Sequence, residues 1–257
     1  MTRTSLKELI PPIVLRIIHH LVKKKILSID EGREFRIHPF DSIPKEIEPH
    51  WILDVGANHG DVTIAALKSF PDCHVICFEP VKETFHRLSE RLLPFQSSVF
   101  LFNYALSDTQ GTAEINITTF DGANSIHPQA QFHQLLNPHV REIGKEEIEL
   151  VRLDDIANSL PTRSVDILKI DVEGHELSVL KGGSSFIREM VDTLIIEISF
   201  MRDQSWESQA IFGIFSLLND LGFRLINILD IHHADEKNLL IAQIDCVFRH
   251  KRRLLSI

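Results

Sequence analysis

The sequence predicts an α/β fold, with one mostly parallel sheet and helices packed on both faces. Three observations carry this. Apolar runs of strand length alternate with segments of helical spacing from Trp51 onward. The first run, Ile52-Leu53-Asp54-Val55, passes into a glycine turn, Gly56-Ala57-Asn58-His59-Gly60, and then into a helix. Asp54, Glu79, Asn103, Asp171 and Glu197 all fall where such runs end, and ligands of parallel sheets sit at the carboxyl ends of the strands.

The elements follow in order. Strand 51–55 leads to a helix over 60–70, strand 74–79 to a helix over 81–92 that ends before Pro94, and strand 98–103 follows. Ala105–Gly111 is rich in turn residues. Thr112–Thr118 alternates polar and apolar residues, as an antiparallel strand does. Residues 119–147 are polar and aperiodic, which predicts a long loop over the substrate; His127, His133 and His139 recur in it. A short strand is expected at 148–152. Val165–Ile170 predicts a central strand, 175–190 a single helix and Leu194–Ile198 another strand. Ser208–Leu221 predicts a helix stopped by Gly222, and Phe223–Leu229 with Leu239–Phe248 a final antiparallel pair. The sum is a Rossmann-like, seven-stranded sheet.

The first 48 residues differ. Pro11 and Pro12 suit a helix start, and Ile13, Val14, Ile17, Ile18, Leu21 and Val22 recur at helical spacing. Residues 1–48 are therefore read as an amphipathic helical extension with a connection, including a short strand at Glu34–His38, and 49–257 as the α/β domain. The stretch Leu9–Leu27 is interrupted by Arg16, His19 and His20, too polar to span a bilayer. Both ends are basic: residues 1–36 carry +4 and the tail from Arg249 another +4, against a chain total of −9. The acidic middle argues against general nucleic-acid binding. Basic ends admit peripheral contact with an anionic membrane face or pairing with a second copy, and a cytoplasmic setting is expected. Three cysteines, two of them within apolar runs, read as buried reduced thiols.

The turn has the spacing GxNxG, not the GxGxxG of a dinucleotide site. Fewer amides at the helix start suit a cofactor without a pyrophosphate, such as S-adenosyl-L-methionine. Glu79, in Phe78-Glu79-Pro80, closes the second strand, where a carboxylate can accept both hydroxyls of a ribose. Asp54 would order the turn and reach the cofactor's amino acid end. Asp108 would accept from an adenine amino group or close a local turn. The second dense motif is Lys169-Ile170-Asp171-Val172-Glu173-Gly174-His175-Glu176. Methyl transfer to a hydroxyl needs in-line alignment and a proton acceptor. His175 or Asp171 can be that base, and Glu173 can hold the acceptor or the cofactor's ammonium. Asp171, Glu173, His175 and Glu197 also offer ligands for Mg²⁺ or Mn²⁺, but no spacing is diagnostic and no metal is assigned.

Taken together, DVGANHG at 54–60, FEP at 78–80, ALSDTQG at 105–111, VRLDDI at 151–156 and DILKIDVEGHELSVLKGG at 166–183, with LIIE at 194–197, resemble the FkbM-type class I S-adenosylmethionine-dependent methyltransferases. The resemblance covers residues 50–248. It implies O-methylation of a sugar, glycan or polyketide hydroxyl, hence a small-molecule or glycan acceptor. It implies cofactor contacts at Asp54, Gly56, Asn58, Gly60, Glu79, Pro80, Ala105, Asp108 and Asp171, and functional roles near Asp171, Glu173 and His175. His59, Asp61 and Val62 depart from the family's usual small residue followed by an aromatic. The rival readings are a nucleotide-dependent oxidoreductase, which the GxNxG spacing disfavours, and a non-catalytic, membrane-associated binding module on the same fold.

Overall fold

The computed structural model describes residues 48–127, 139–200, 209–233 and 241–254. The expected N-terminal helix at 13–22 and strand at 34–38 lie outside these residues. So does the middle of the long histidine-bearing loop, with His133.

The order of elements is β1 (Trp51–Val55), α1 (Asp61–Ser69), β2 (His74–Phe78), α2 (Lys82–Leu92), β3 (Val99–Phe102), β4 (Ala105–Leu106), β5 (Gly111–Thr118), β6 (Glu142–Val151), α3 (Leu153–Ile156), β7 (Val165–Ile170), α4 (Glu176–Gly182), α5 (Ser184–Met190), β8 (Val191–Ser199), α6 (Gln209–Asp220), β9 (Phe223–His233), β10 (Ile241–His250) and α7 (Lys251–Leu254). Seven strands form one sheet in the order β3-β2-β1-β7-β8-β10-β9. The first five pair in parallel, and β10 runs antiparallel to both β8 and β9. The seven-stranded, mostly parallel α/β sheet is thus as expected.

The central strands are apolar on both faces because helices cover both. One face packs Leu53, Ile76, Leu168 and Leu194 against α4, α5 and α6. The other packs Ile52, Val75, Cys77 and Ile167 against Ala66 and Leu67 of α1 and Leu88 and Leu92 of α2. Leu88 and Leu92 sit one turn apart, so one stripe of α2 is buried while Glu83 and Arg87 pair on the outside at 3.0 Å. All three cysteines are buried and free.

Four expectations are corrected. Residues 142–147 are not loop. They open β6, whose antiparallel pairing with β5 begins at Thr118–Glu142, and β4 adds in parallel to make a separate three-stranded sheet. The residues are charged because β6 is solvent-exposed until Ile148, so no apolar alternation marks it. Second, Ala105–Gly111 is not all turn, since Ala105 and Leu106 form β4. Third, the helix expected over 175–190 is two helices broken at Gly182-Gly183. A Cβ on Gly182 would lie 1.8 Å from the Ser107 carbonyl oxygen, so α4 can cross the 105–108 segment only with glycine there. Fourth, the basic tail is partly consumed by the domain itself: Arg252 and Arg253 both bond Asp192, at 3.1 and 2.7 Å. No helix of the described residues is long and apolar enough to cross a membrane.

Gly182→Ala should lower unfolding stability by about 3 kcal/mol, the overpacking cost of a methyl against fixed backbone. Gly144→Ala, where an added Cβ meets nothing within 4 Å, should change it by less than about 0.5 kcal/mol. Urea unfolding of the two variants checks this; equal losses would contradict the close-crossing account.

Candidate functional site

The strand order reverses between β1 and β7, and a crevice opens there at their carboxyl ends. Two loops meet at its floor. Gly56, at φ +79, lets the β1 turn press on the β7 loop so closely that a Cβ would sit 1.9 Å from the Asp171 carbonyl oxygen. Asn58 takes the left-handed conformation as well, at φ 48, which asparagine tolerates.

Register decides the polar layer beneath. Asp54 and Lys169 are direct partners across β1 and β7. Both are almost fully buried, at 0% and 7% exposure. The Lys169 ammonium lies 3.3 Å from Asp54 Oδ1 and 3.3 Å from Asp171 Oδ2, and donates to the Gly56 carbonyl at 3.1 Å. Burial pulls the Lys169 pKa down, but the Asp171 and Asp54 carboxylates outweigh it, and the net shift is upward. Asp54 Oδ2 also accepts the Thr63 hydroxyl at 2.7 Å, tying α1 to the same point. Asp54 does not border the crevice; its carboxylate is directed at Lys169 and Thr63.

Glu79 follows β2 and is 6% exposed. Its Oε1 accepts the Val81 amide and its Oε2 the Asn58 amide, each at 3.0 Å. The carboxylate therefore joins the GxNxG turn to the start of α2. Burial pushes its pKa up to about 7, against those two amide bonds. Asn103 donates to the carbonyls of Glu79 and Pro80 at 2.9 and 3.0 Å, so the end of β3 holds the Glu79-Pro80 backbone in place. Gly56, Asn58, Glu79, Pro80, Ala105 and Asp171 all border the crevice. Gly60 and Asp108 do not. Gly60 instead opens α1 from a left-handed conformation against Leu88, and Asp108 accepts the Ser107 hydroxyl at 3.3 Å.

Glu173 and His175 border the crevice too. Glu173 has φ 55, and its carbonyl accepts the Ser125 hydroxyl at 2.7 Å. His175 starts α4 without capping it through its side chain. His175 Nε2 is hydrogen-bonded to Ser107 Oγ at 3.0 Å, and its Nδ1 to His127 Nε2 at 3.3 Å. Burial, then the neighbouring His127, lowers the His175 pKa to about 4, despite Asp108. The imidazole is neutral at pH 7. Asp171 and His175 share no hydrogen bond; Asp171 turns to Lys169 instead.

The roof was foreseen only as a loop. Asp121, Gly122, Asn124 and Ile126 line the crevice from above. Asp121 receives His59 Nε2 at 3.0 Å and Arg87 at 3.4 Å. The unusual His59 thus reaches the roof, not the cofactor floor. Lys169, Ser107, His127 and Asp121 were not assigned roles from sequence. For Lys169 the signal existed: a lysine inside the apolar run VDILKI must find a buried partner.

The methyltransferase FkbM domain family matches residues 54–225, more than half of the chain. Among curated relatives, methyltransferase sdnD of Sordaria araneosa is 29% identical over 74% of this chain and 79% of its own length. The 2-O-methyltransferase NoeI of Sinorhizobium fredii is 29% identical over 62% of this chain and 66% of its own length. The hexuronic acid methyltransferase AglP of Haloferax volcanii is 32% identical over 57% of this chain, which spans 55% of AglP.

Replacing Lys169 by Met strands Asp54 as a buried charge and should cost about 3–5 kcal/mol. Adding Asp54→Asn should recover part of that loss, so the double variant is less destabilised than the sum of the singles. Additive losses in urea unfolding would contradict the coupling.

Proposed function

As the chain belongs to the methyltransferase FkbM domain family, and is therefore an S-adenosylmethionine-dependent methyltransferase, we propose that it methylates a hydroxyl oxygen of a sugar or glycan. The cofactor occupies the crevice between β1 and β7. The observation that carries this reading is Glu79: a near-buried carboxylate at the end of β2, held by two backbone amides beside the glycine turn. Its remaining lone pairs accept the two ribose hydroxyls. Val81, Tyr104 and Leu106 give apolar walls suited to adenine, and Asp108 supports that end through Ser107. The 54–60 turn shapes the pocket for the amino acid end, with Asp171 and Glu173 placed to meet its ammonium or the acceptor.

The reaction is a single displacement. The acceptor oxygen bonds to the methyl carbon while the carbon–sulfur bond breaks and its electron pair returns to sulfur. The oxygen then carries a proton that must leave. A protonated ether is a far stronger acid than an imidazolium, so a histidine with a pKa of about 4 still accepts that proton as the new bond forms. His175 Nδ1 is the acceptor, with Nε2 hydrogen-bonded to Ser107 Oγ. The relatives support the acceptor class: NoeI methylates an oxygen and AglP acts on a hexuronic acid. The N-terminal segment, residues 1–48, precedes the family match at 54–225; its basic, apolar sequence fits an acceptor presented at an anionic membrane surface.

Labelled methyl transferred into a glycan fraction should survive mild alkali, as an ether does. Alkali-labile label, as from a methyl ester, would contradict hydroxyl methylation. His175→Ala should slow transfer about 10²–10⁴-fold while leaving S-adenosylhomocysteine affinity unchanged. The ribose contact needs ionised Glu79, whose pKa in the open crevice is about 7. Affinity for S-adenosylhomocysteine should therefore rise about tenfold from pH 6 to pH 8. Glu79→Gln should bind weakly with no such pH dependence; a pH-dependent Gln variant would remove the assignment.

A further inference from the structure

A row of carboxylates crosses the sheet beside the crevice. Glu197 of β8 is the direct partner of Asp245 of β10, which is the direct partner of Asp230 of β9. Ile170 pairs with Ile196, so the next residue pair, Asp171 and Glu197, continues the row toward the crevice. Direct partners share a face, and like charges placed opposite each other repel. Lys169 serves Asp54 and Asp171, and His232 lies 3.5 Å from Asp230.

At the crevice end the row closes into a cluster. One oxygen each of Asp171, Glu173 and Glu197 lies within 4.8 Å of the other two. Glu197 Oε2 accepts from Gln243 at 3.0 Å. Its Oε1 is sealed from solvent and has no hydrogen-bond partner, an arrangement that costs free energy unless something is bound there. We propose that Asp171, Glu173 and Glu197 form a binding site for one divalent cation with oxygen ligands.

The distances permit this occupant. Two oxygens on opposite sides of Ca²⁺ are about 5 Å apart, and on opposite sides of Mg²⁺ about 4 Å, so oxygens no more than 4.8 Å from one another can share one ion. Three carboxylates and no nitrogen or sulfur form the donor set that hard cations select. Burial, then Asp171, Glu176 and Asp245, push the Glu197 pKa well up, and a cation among them would lower it again. The ion would sit where Asp171 and Glu173 border the crevice, so an acceptor hydroxyl could complete its coordination. That use rests on the methyl-transfer reading; the binding itself does not.

The test is Mn²⁺ binding, followed by electron paramagnetic resonance on chelator-stripped, full-length protein. Wild type should bind one Mn²⁺ per chain, displaced by Ca²⁺ or Mg²⁺. Glu197→Gln and Glu173→Gln should each lose that binding. A wild-type far-ultraviolet circular dichroism spectrum and a cooperative melting transition without added ligand show that each variant is folded. Wild-type binding no stronger than in either variant overturns the site, and Glu197 is then a neutral acid. If wild type binds Mn²⁺ but S-adenosylhomocysteine gives no stabilisation, the cofactor reading fails and the metal site stands.

Discussion

The site depends on one buried cation. Lys169 projects from the middle of the sheet into a layer where Asp54, Asp171 and the Gly56 carbonyl converge on its ammonium. These groups belong to β1, to its turn and to the loop after β7, on either side of the point where strand order reverses. A buried ion pair of this kind contributes little net stability compared with a well-packed apolar layer, but breaking it is expensive. Its consequence is geometric: the β1 turn and the β7 loop cannot separate without leaving a charge unpaired. The close approach at Gly56, the orientation of Asp171 and the mouth of the crevice follow from that constraint.

Around this point burial acts on two groups in the same sense. Burial raises the Glu79 pKa toward 7 and lowers that of His175 to about 4, so each group disfavours its charged form. Each is also held by neighbours on separate segments, Glu79 by the amides of Asn58 and Val81 and His175 by Ser107. A cofactor with a ribose and a sulfonium would bring two hydroxyl donors to Glu79 and a cation to the neighbouring acids.

Much of the fold was legible because periodicity is local. The alternation of strands and helices, the glycine turn at 54–60 and the acid after β2 are each fixed by a few consecutive residues. What the sequence concealed depends on residues far apart. The need for glycine at 182 comes from the Ser107 carbonyl, which only the fold brings near. β6 carries no apolar alternation over its first turns because its faces are exposed there. Lys169 announced a buried partner, but its identity follows from register with β1. Asp54 seemed suited to the cofactor because it ends an apolar strand; one residue of pleat directs it into the sheet layer instead. His175 and Asp171 are close in sequence and border one crevice, yet their partners, Ser107 and Lys169, pull them apart.

The central claim is that a sulfonium nucleoside lies across the β1–β7 reversal with its ribose on Glu79. A crystal structure with S-adenosylhomocysteine tests it most directly. The account predicts both ribose hydroxyls within hydrogen-bond distance of the Glu79 carboxylate, and the sulfur on the side of Asp171 and His175. A nucleoside bound elsewhere, or a ribose that leaves Glu79 bonded only to its two amides, would contradict it.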